Sequence, residues 1–263
     1  MGAAPATMCP MTTITPAALG TILSVWAHPD DETYLAGGIM AAARDGGQRV
    51  VCVSATAGEH GTPDPAGWPP DRLGRVRGWE AVAAMAVLGV DEHRLLGLPD
   101  LGLDRHDERG TDLVGRLIDE IRPDTILTFG PDGATYHPDH IAVHRWVTAA
   151  WDRRSRPGRL LYATATVEHL ARFRDVYEEW GMYMSDERPT GVPPDEVAVH
   201  VHLDAPALDR KLTALRAMAT QTSGLLQRVD PRLYAQQVAE EAFVDAAAGL
   251  DRSRAGEVVG ARH

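Results

Sequence analysis

Residues 21–56, TILSVWAHPDDETYLAGGIMAAARDGGQRVVCVSAT, decide the reading of the fold. An apolar run, TILSVWA (21–27), stops at a histidine and a proline; a stretch of helix formers, TYLAGGIMAAARD (33–45), follows; RVVCVSAT (49–56) is then short, β-branched and apolar. Strands covered on both faces read as continuous apolar runs, and a strand, a helix and a second such strand in so short a span make a βαβ unit.

Outward from this unit the pattern repeats. The loop GTPDPAGWPP (61–70) leads into a helix within RLGRVRGWEAVAAMAVLG (72–89), where Gly89 sits at a C-cap. HRLLGL (93–98) reads as a third strand, LVGRLIDEI (113–121) as a helix and TILTFG (125–130) as a fourth strand. HPDHIAVHRWVTAAWD (137–152) opens another helix, and RLLYATA (159–165) is a fifth strand. The expected fold is α/β: a Rossmann-like doubly wound, mostly parallel sheet with helices on both faces. After residue 166 the periodicity weakens, although EVAVHVHLD (196–204) alternates like a strand and PALDRKLTALRAMATQ (206–221) looks helical. The expected division is a loosely ordered tail (1–20), a Rossmann-like catalytic core (21–165), and a C-terminal lid or small subdomain (166–263) that completes the fold and the substrate pocket.

The chain has 263 residues, 44% of them hydrophobic, enough for one large domain. Its net charge of −11, with no run of lysine or arginine, argues against nucleic acid or an anionic membrane and for a small-molecule partner. No signal-like segment and no apolar stretch of membrane-spanning length is read. Cys9 lies in the irregular N-terminus and Cys52 inside an apolar run, so neither a disulfide framework nor a cysteine zinc site is indicated, and a cytoplasmic location is expected. Oligomeric state is not legible.

Ligands of open α/β sheets bind outside the carboxyl ends of strands, and AHPDDE (27–32) follows the first strand at that edge. YHPDH (136–140) follows the fourth, and the two share the form His-Pro-Asp-X, where X is Asp31 in one and His140 in the other. Proline suits the first helical position, so the first and fourth residues of each motif project to one side of a helix N-terminus. Together the loops would gather His28, Asp30, Asp31, His137, Asp139 and His140. Two imidazoles and a carboxylate are a catalytic zinc complement with an open position; magnesium would want oxygen ligands. A lone His-Pro-Asp is ordinary turn chemistry, and it is the repetition after two strands that gives it weight. His60, His93, His106, His144, His169, His200 and His202 lack that context and read as surface or satisfied core residues. The first βα turn has no G-x-G-x-x-G, and no G-x-S-x-G is present, so neither a dinucleotide site nor a serine nucleophile is indicated.

With AHPDDE and HPDH intact, the chain resembles the PIG-L/LmbE-like family of zinc-dependent de-N-acetylases, which act on N-acetylglucosaminyl compounds and related amides. TAGEHG (56–61), RGWEAVAAMAVLGV (77–90), GLPD (97–100) and KLTALRAMATQ (211–221) extend the resemblance over residues 21–221. It implies that His28, Asp31 and His140 ligate zinc and that Asp30 is the general base. It further implies that His137 polarises the oxyanion or protonates the leaving amine, and that Asp139 orients a histidine. Glu59, Arg77 and Asp100 match positions that face the sugar or hold the loops around it. Two departures stand out: Tyr136 precedes the second motif where a glycine is common, and Met218 stands where some relatives carry a histidine. The implied activity is removal of an N-acetyl group from an amino-sugar or related small glycoside, releasing acetate and a free amine. An iron oxygenase with the same ligand types, or a binding module with a structural metal, are the alternatives.

Overall fold

Strands β1 (Ile22–Trp26) and β2 (Val50–Ser54) are buried at every position and pair in parallel, Ile22 opposite Val50 through Trp26 opposite Ser54. Helix α1 (Asp31–Asp45) joins them across one face, as the apolar runs require. The computed structural model describes residues 15–248. The winding continues through α2 (Pro70–Leu88), β3 (Glu92–Leu95), α3 (Asp107–Ile121), β4 (Thr125–Phe129), α4 (Pro138–Arg153) and β5 (Arg159–Thr164). Gly89 closes α2 in the left-handed conformation, φ +79°, that its C-cap position demands. At Gly110 of α3 a Cβ would lie 2.1 Å from the buried ring of Trp146, so only glycine lets α3 and α4 approach this closely.

Past residue 166, in the part expected to complete the fold, the chain adds two strands to the same sheet. Helix α5 (Val167–Trp180) is followed by β6 (Val199–His202), α6 (Ala205–Ala217), α7 (Ala219–Leu226), α8 (Pro231–Val238) and β7 (Glu240–Asp245). β7 lies antiparallel between β5 and β6, giving the seven-stranded order β3-β2-β1-β4-β5-β7-β6. The single helix expected over 206–221 is two, broken at Met218 (φ −94°, ψ 55°), whose side chain is 1% exposed in the core. The C-terminal region is anchored by a fully buried ion pair: Lys211 Nζ on α6 reaches Glu241 Oε1 on β7 at 2.7 Å. Glu241 also accepts the backbone N–H of Gly38 and Ile39 in α1, so one carboxylate ties three elements. His93, on β3, bonds Ser54 Oγ of β2 through Nε2 at 3.0 Å.

Most of the tail expected over residues 1–20, with Cys9, lies outside the described residues, as do residues 249–263. No helix among the described residues is long and apolar enough to cross a membrane. What the sheet order sets up is a crevice. The chain winds from β1 out to β3, then returns to lay β4 on the other side of β1, so the β1 and β4 carboxyl ends flank the switch point.

Candidate active site

Both histidine motifs open at that switch point. After β1 the chain runs through His28 and Pro29 into α1, where Asp31 Oδ2 accepts the His28 backbone N–H at 2.8 Å. Between them Asp30 is forced to φ +123°, ψ −34°, a conformation that favours glycine. After β4 a loop turns through Gly133, Ala134 and Tyr136, all at positive φ, and delivers His137 as the N-cap of α4 with Pro138 next. His137 Nδ1 accepts the Asp139 N–H at 3.1 Å, so the neutral ring carries its proton on Nε2.

Three donors converge in the crevice. His140 Nε2 lies 3.3 Å from His28 Nδ1 and 3.3 Å from Asp31 Oδ1, and His28 Nδ1 lies 3.5 Å from Asp31 Oδ2. The outer nitrogens are taken. His140 Nδ1 bonds the Gly133 carbonyl at 2.8 Å, and His28 Nε2 faces Asp100 Oδ1 at 3.1 Å and Asp139 Oδ2 at 3.5 Å. These bonds assign the N–H groups outward and turn two lone pairs and a carboxylate inward, on residues no more than 9% exposed. Facing lone pairs repel unless a cation sits among them, and the set fits a tetrahedral metal with one open position.

The same packing sets the charges. Burial would raise Asp31, but His140 and His28 hold it well below the usual carboxylate range. Burial pushes His140 down to about 4, against the pull of Asp31. Burial opposes charge on His28 as well, yet its bonds to Asp100, Asp139 and Asp31 outweigh it and raise that ring, so that without a cation a second proton sits on Nδ1, the proton a metal there would displace. Asp30 is pushed up to about 7, chiefly by burial and then by Asp31, with Arg77 opposing. Burial and the neighbouring His28 lower His137, which favours its neutral form.

The three residues expected around a substrate divide differently. Arg77 is 3% exposed and braces two loops, bonding the Gly58 carbonyl at 2.7 Å and the Pro29 carbonyl at 2.6 Å, with Asp30 Oδ2 at 3.5 Å. Asp100 is buried behind the crevice against His28, and Glu59 Oε1 accepts the Asp100 N–H at 3.0 Å. Among these bonds, Arg77 holds loops and reaches Asp30, and Asp100 faces His28. Asp139 accepts three backbone N–H bonds, from Leu101, Gly102 and Leu103, besides facing His28.

Beside Asp31 and His140 opens a cavity of about 190 Å³, walled by Tyr34, Leu170, Tyr177 and Met182 among others. Two residues to which the sequence reading gave no part in the site, His169 and Glu240, stand in its wall. His169, on α5, is buried and bonds Glu240 Oε2 at 3.1 Å and the Tyr177 hydroxyl at 2.8 Å. No motif surrounds His169, and only the return of β7 beside β5 brings Glu240 to it. His144 is a satisfied residue, bonded to the Phe129 carbonyl at 2.9 Å.

A doubly wound sheet with two imidazoles and a carboxylate turned inward at its switch point defines an α/β protein with a candidate metal centre. The chain belongs to the PIG-L family, GlcNAc-PI de-N-acetylase, whose pattern matches residues 23–151. It is 34% identical over 229 residues to a 1D-myo-inositol 2-acetamido-2-deoxy-alpha-D-glucopyranoside deacetylase of Mycobacterium sp. (strain KMS), covering 77% of this chain and 74% of the relative. Among solved structures it resembles the N,N'-diacetylchitobiose deacetylase of Pyrococcus horikoshii (TM-score 0.59, 19% identity, 86% of this chain and 84% of that one). It also resembles the 4-carboxy-2-hydroxymuconate hydratase GalB of Pseudomonas putida (TM-score 0.56, 18% identity, 87% and 96%). The fold hosts more than one reaction, so the chemistry must be argued from the site.

Proposed function

We propose that the chain is a zinc-dependent hydrolase that removes the N-acetyl group of an N-acetylated amino-sugar or related small glycoside, releasing acetate and a free amine. The observation that carries this reading is the convergence of His28 Nδ1, His140 Nε2 and the Asp31 carboxylate, each pinned from behind. Family membership and the deacetylase relative support the reaction class. His28, Asp31 and His140 would hold the zinc, which supplies Lewis acidity at that point, activating water and polarising an amide carbonyl.

The remaining groups divide the proton work. Asp30, with its carboxyl pushed up to about 7, takes a proton from the attacking water near neutral pH and passes it to the departing amine nitrogen as the C–N bond breaks. His137 presents Nε2–H, because Nδ1 accepts the Asp139 N–H, and so stabilises developing negative charge as a neutral donor. Of the two roles the resemblance implies for His137, this favours polarising the oxyanion. Asp100 and Asp139 orient His28, and Arg77 holds the loop that carries Asp30. A cytoplasmic setting belongs to the same proposal and rests on the free, buried Cys52.

The test is an acetate-release screen over N-acetylglucosaminyl-inositol, N,N'-diacetylchitobiose and acetylated glycosides of increasing aglycone size. One acetate per new amine, lost on chelation and restored by zinc, is the expected result. Release from none of them, or a product that requires oxygen, overturns the reading.

A further inference from the structure

Outside the crevice, the far edge of the sheet carries a second group of donors. His200 and His202 are two apart on β6, so their side chains leave the same face of the strand. In the antiparallel pairing with β7, His202 lies directly opposite Glu240 and His200 opposite Ala242, which puts Glu240 on that face too. The imidazole centroids are 4.5 Å apart, and one ligand atom from each of the three residues falls within 4.8 Å of the others. His200 Nε2 already meets Glu240 Oε1 at 2.9 Å.

We propose that His200, His202 and Glu240 form a second metal site, selective for a divalent first-row transition ion, apart from the cluster at the switch point. Two imidazoles and one carboxylate suit zinc, nickel or copper; calcium and magnesium want more oxygen than one side chain offers. The position favours access, because β6 ends the sheet and, among the described residues, no strand covers its outer edge. It also favours assembly: strand pairing fixes all three Cα positions, and the exposed ring of His202 supplies the small movement that closes three atoms around an ion.

Glu240 connects this site to the cavity. Its carboxylate accepts from Thr166 Oγ1 at 2.9 Å and meets His169 Nδ1 at 3.1 Å and His200 Nε2 at 2.9 Å. His169 in turn holds the Tyr177 hydroxyl, and both line the cavity beside Asp31 and His140. An ion drawing on Glu240 therefore competes with His169 for the same carboxylate, and occupancy at the sheet edge is sensed in the cavity wall.

The experiment is zinc titration of the full chain, stripped by chelation, with bound zinc counted by equilibrium dialysis and imidazole resonances followed by nitrogen-15 NMR. Wild type should bind one more zinc than His200→Gln/His202→Gln. His202→Gln alone, at an exposed position, should weaken that ion by at least the ~10–100-fold that loss of an outer-shell partner costs a metal site. His140→Ala should leave the sheet-edge ion in place, which separates this site from the one at the switch point. Filling the sheet-edge site should shift the His169 resonances in wild type and in His140→Ala. Equal zinc stoichiometry and affinity in wild type and His202→Gln overturns the site, and unmoved His169 resonances at full occupancy overturn its link to the cavity.

Discussion

His28 Nδ1 and His140 Nε2 face each other across 3.3 Å, and the other nitrogen of each ring is committed to an acceptor behind it. Two nitrogens turned inward at that separation need a proton or a metal cation between them, so the pocket gains from a cation and loses its hold on one when either ring is removed. His28→Ala and His140→Ala should each lose most switch-point zinc after dialysis, together with hydrolysis, while retaining the fold by circular dichroism. Full occupancy of that site in both variants would refute the ligand assignment.

The neighbouring aspartates should separate cleanly. Asp30→Asn keeps the shape but removes the basic oxygen, so zinc content should hold while turnover falls about 10²- to 10⁴-fold, the scale of a general base. Asp31→Asn replaces an anionic ligand by a neutral amide, so zinc and turnover should fall together. Metal content and kcat measured on both variants decide the matter, and zinc loss in Asp30→Asn alone would reverse the roles.

His93 predicts an acid sensitivity. Burial lowers it to about 4 in the folded chain, against an ordinary value of 6.5. Between those limits the unfolded chain binds the extra proton, so this contribution is complete above about pH 6.5 and is lost as pH falls toward 4. From pH 7.5 to 5, His93→Gln should lose about 2 kcal/mol less stability than wild type in denaturant titrations. Parallel losses in the two proteins would show that His93 titrates normally when folded.

Lys211→Met leaves Glu241 buried with no cationic partner, the situation that costs about 3–5 kcal/mol when a buried pair is broken. Thermal unfolding should show a correspondingly large drop, and pairing the change with Glu241→Gln should recover part of it. A Lys211→Met variant as stable as wild type would mean that the two backbone N–H bonds from Gly38 and Ile39 satisfy Glu241 unaided.

The five parallel strands and the switch point were legible because their cause is local. Short, apolar and rich in β-branched residues, runs such as VVCVS (50–54) and TILTF (125–129) read as doubly covered strands. The inward histidines were legible because both stand in one repeated His-Pro-Asp-X motif that opens the helix after an apolar strand. What the sequence concealed depends on long-range return. EEAFVD (240–245) has neither alternation nor a continuous apolar run, and becomes a strand only because β5 and β6 flank it. His169 meets Glu240 only when that strand arrives. Asp100 matched a position that could face a sugar or hold a loop, and only the path of residues 97–103 around Asp139 places it behind His28.

Asp30 stands at φ +123°, where any residue but glycine is strained by about 1–3 kcal/mol. Selection for thermal resilience alone would therefore be expected to replace it with glycine, and Asp30→Gly should melt higher than its parent while losing at least the turnover that Asp30→Asn loses. A library sorted for survival on heating and a second sorted for acetate release should diverge at this codon before any other in the motif. On the proposed reading the carboxylate stands at a thermodynamic disadvantage that folding alone gives no reason for, and the general-base role supplies the reason.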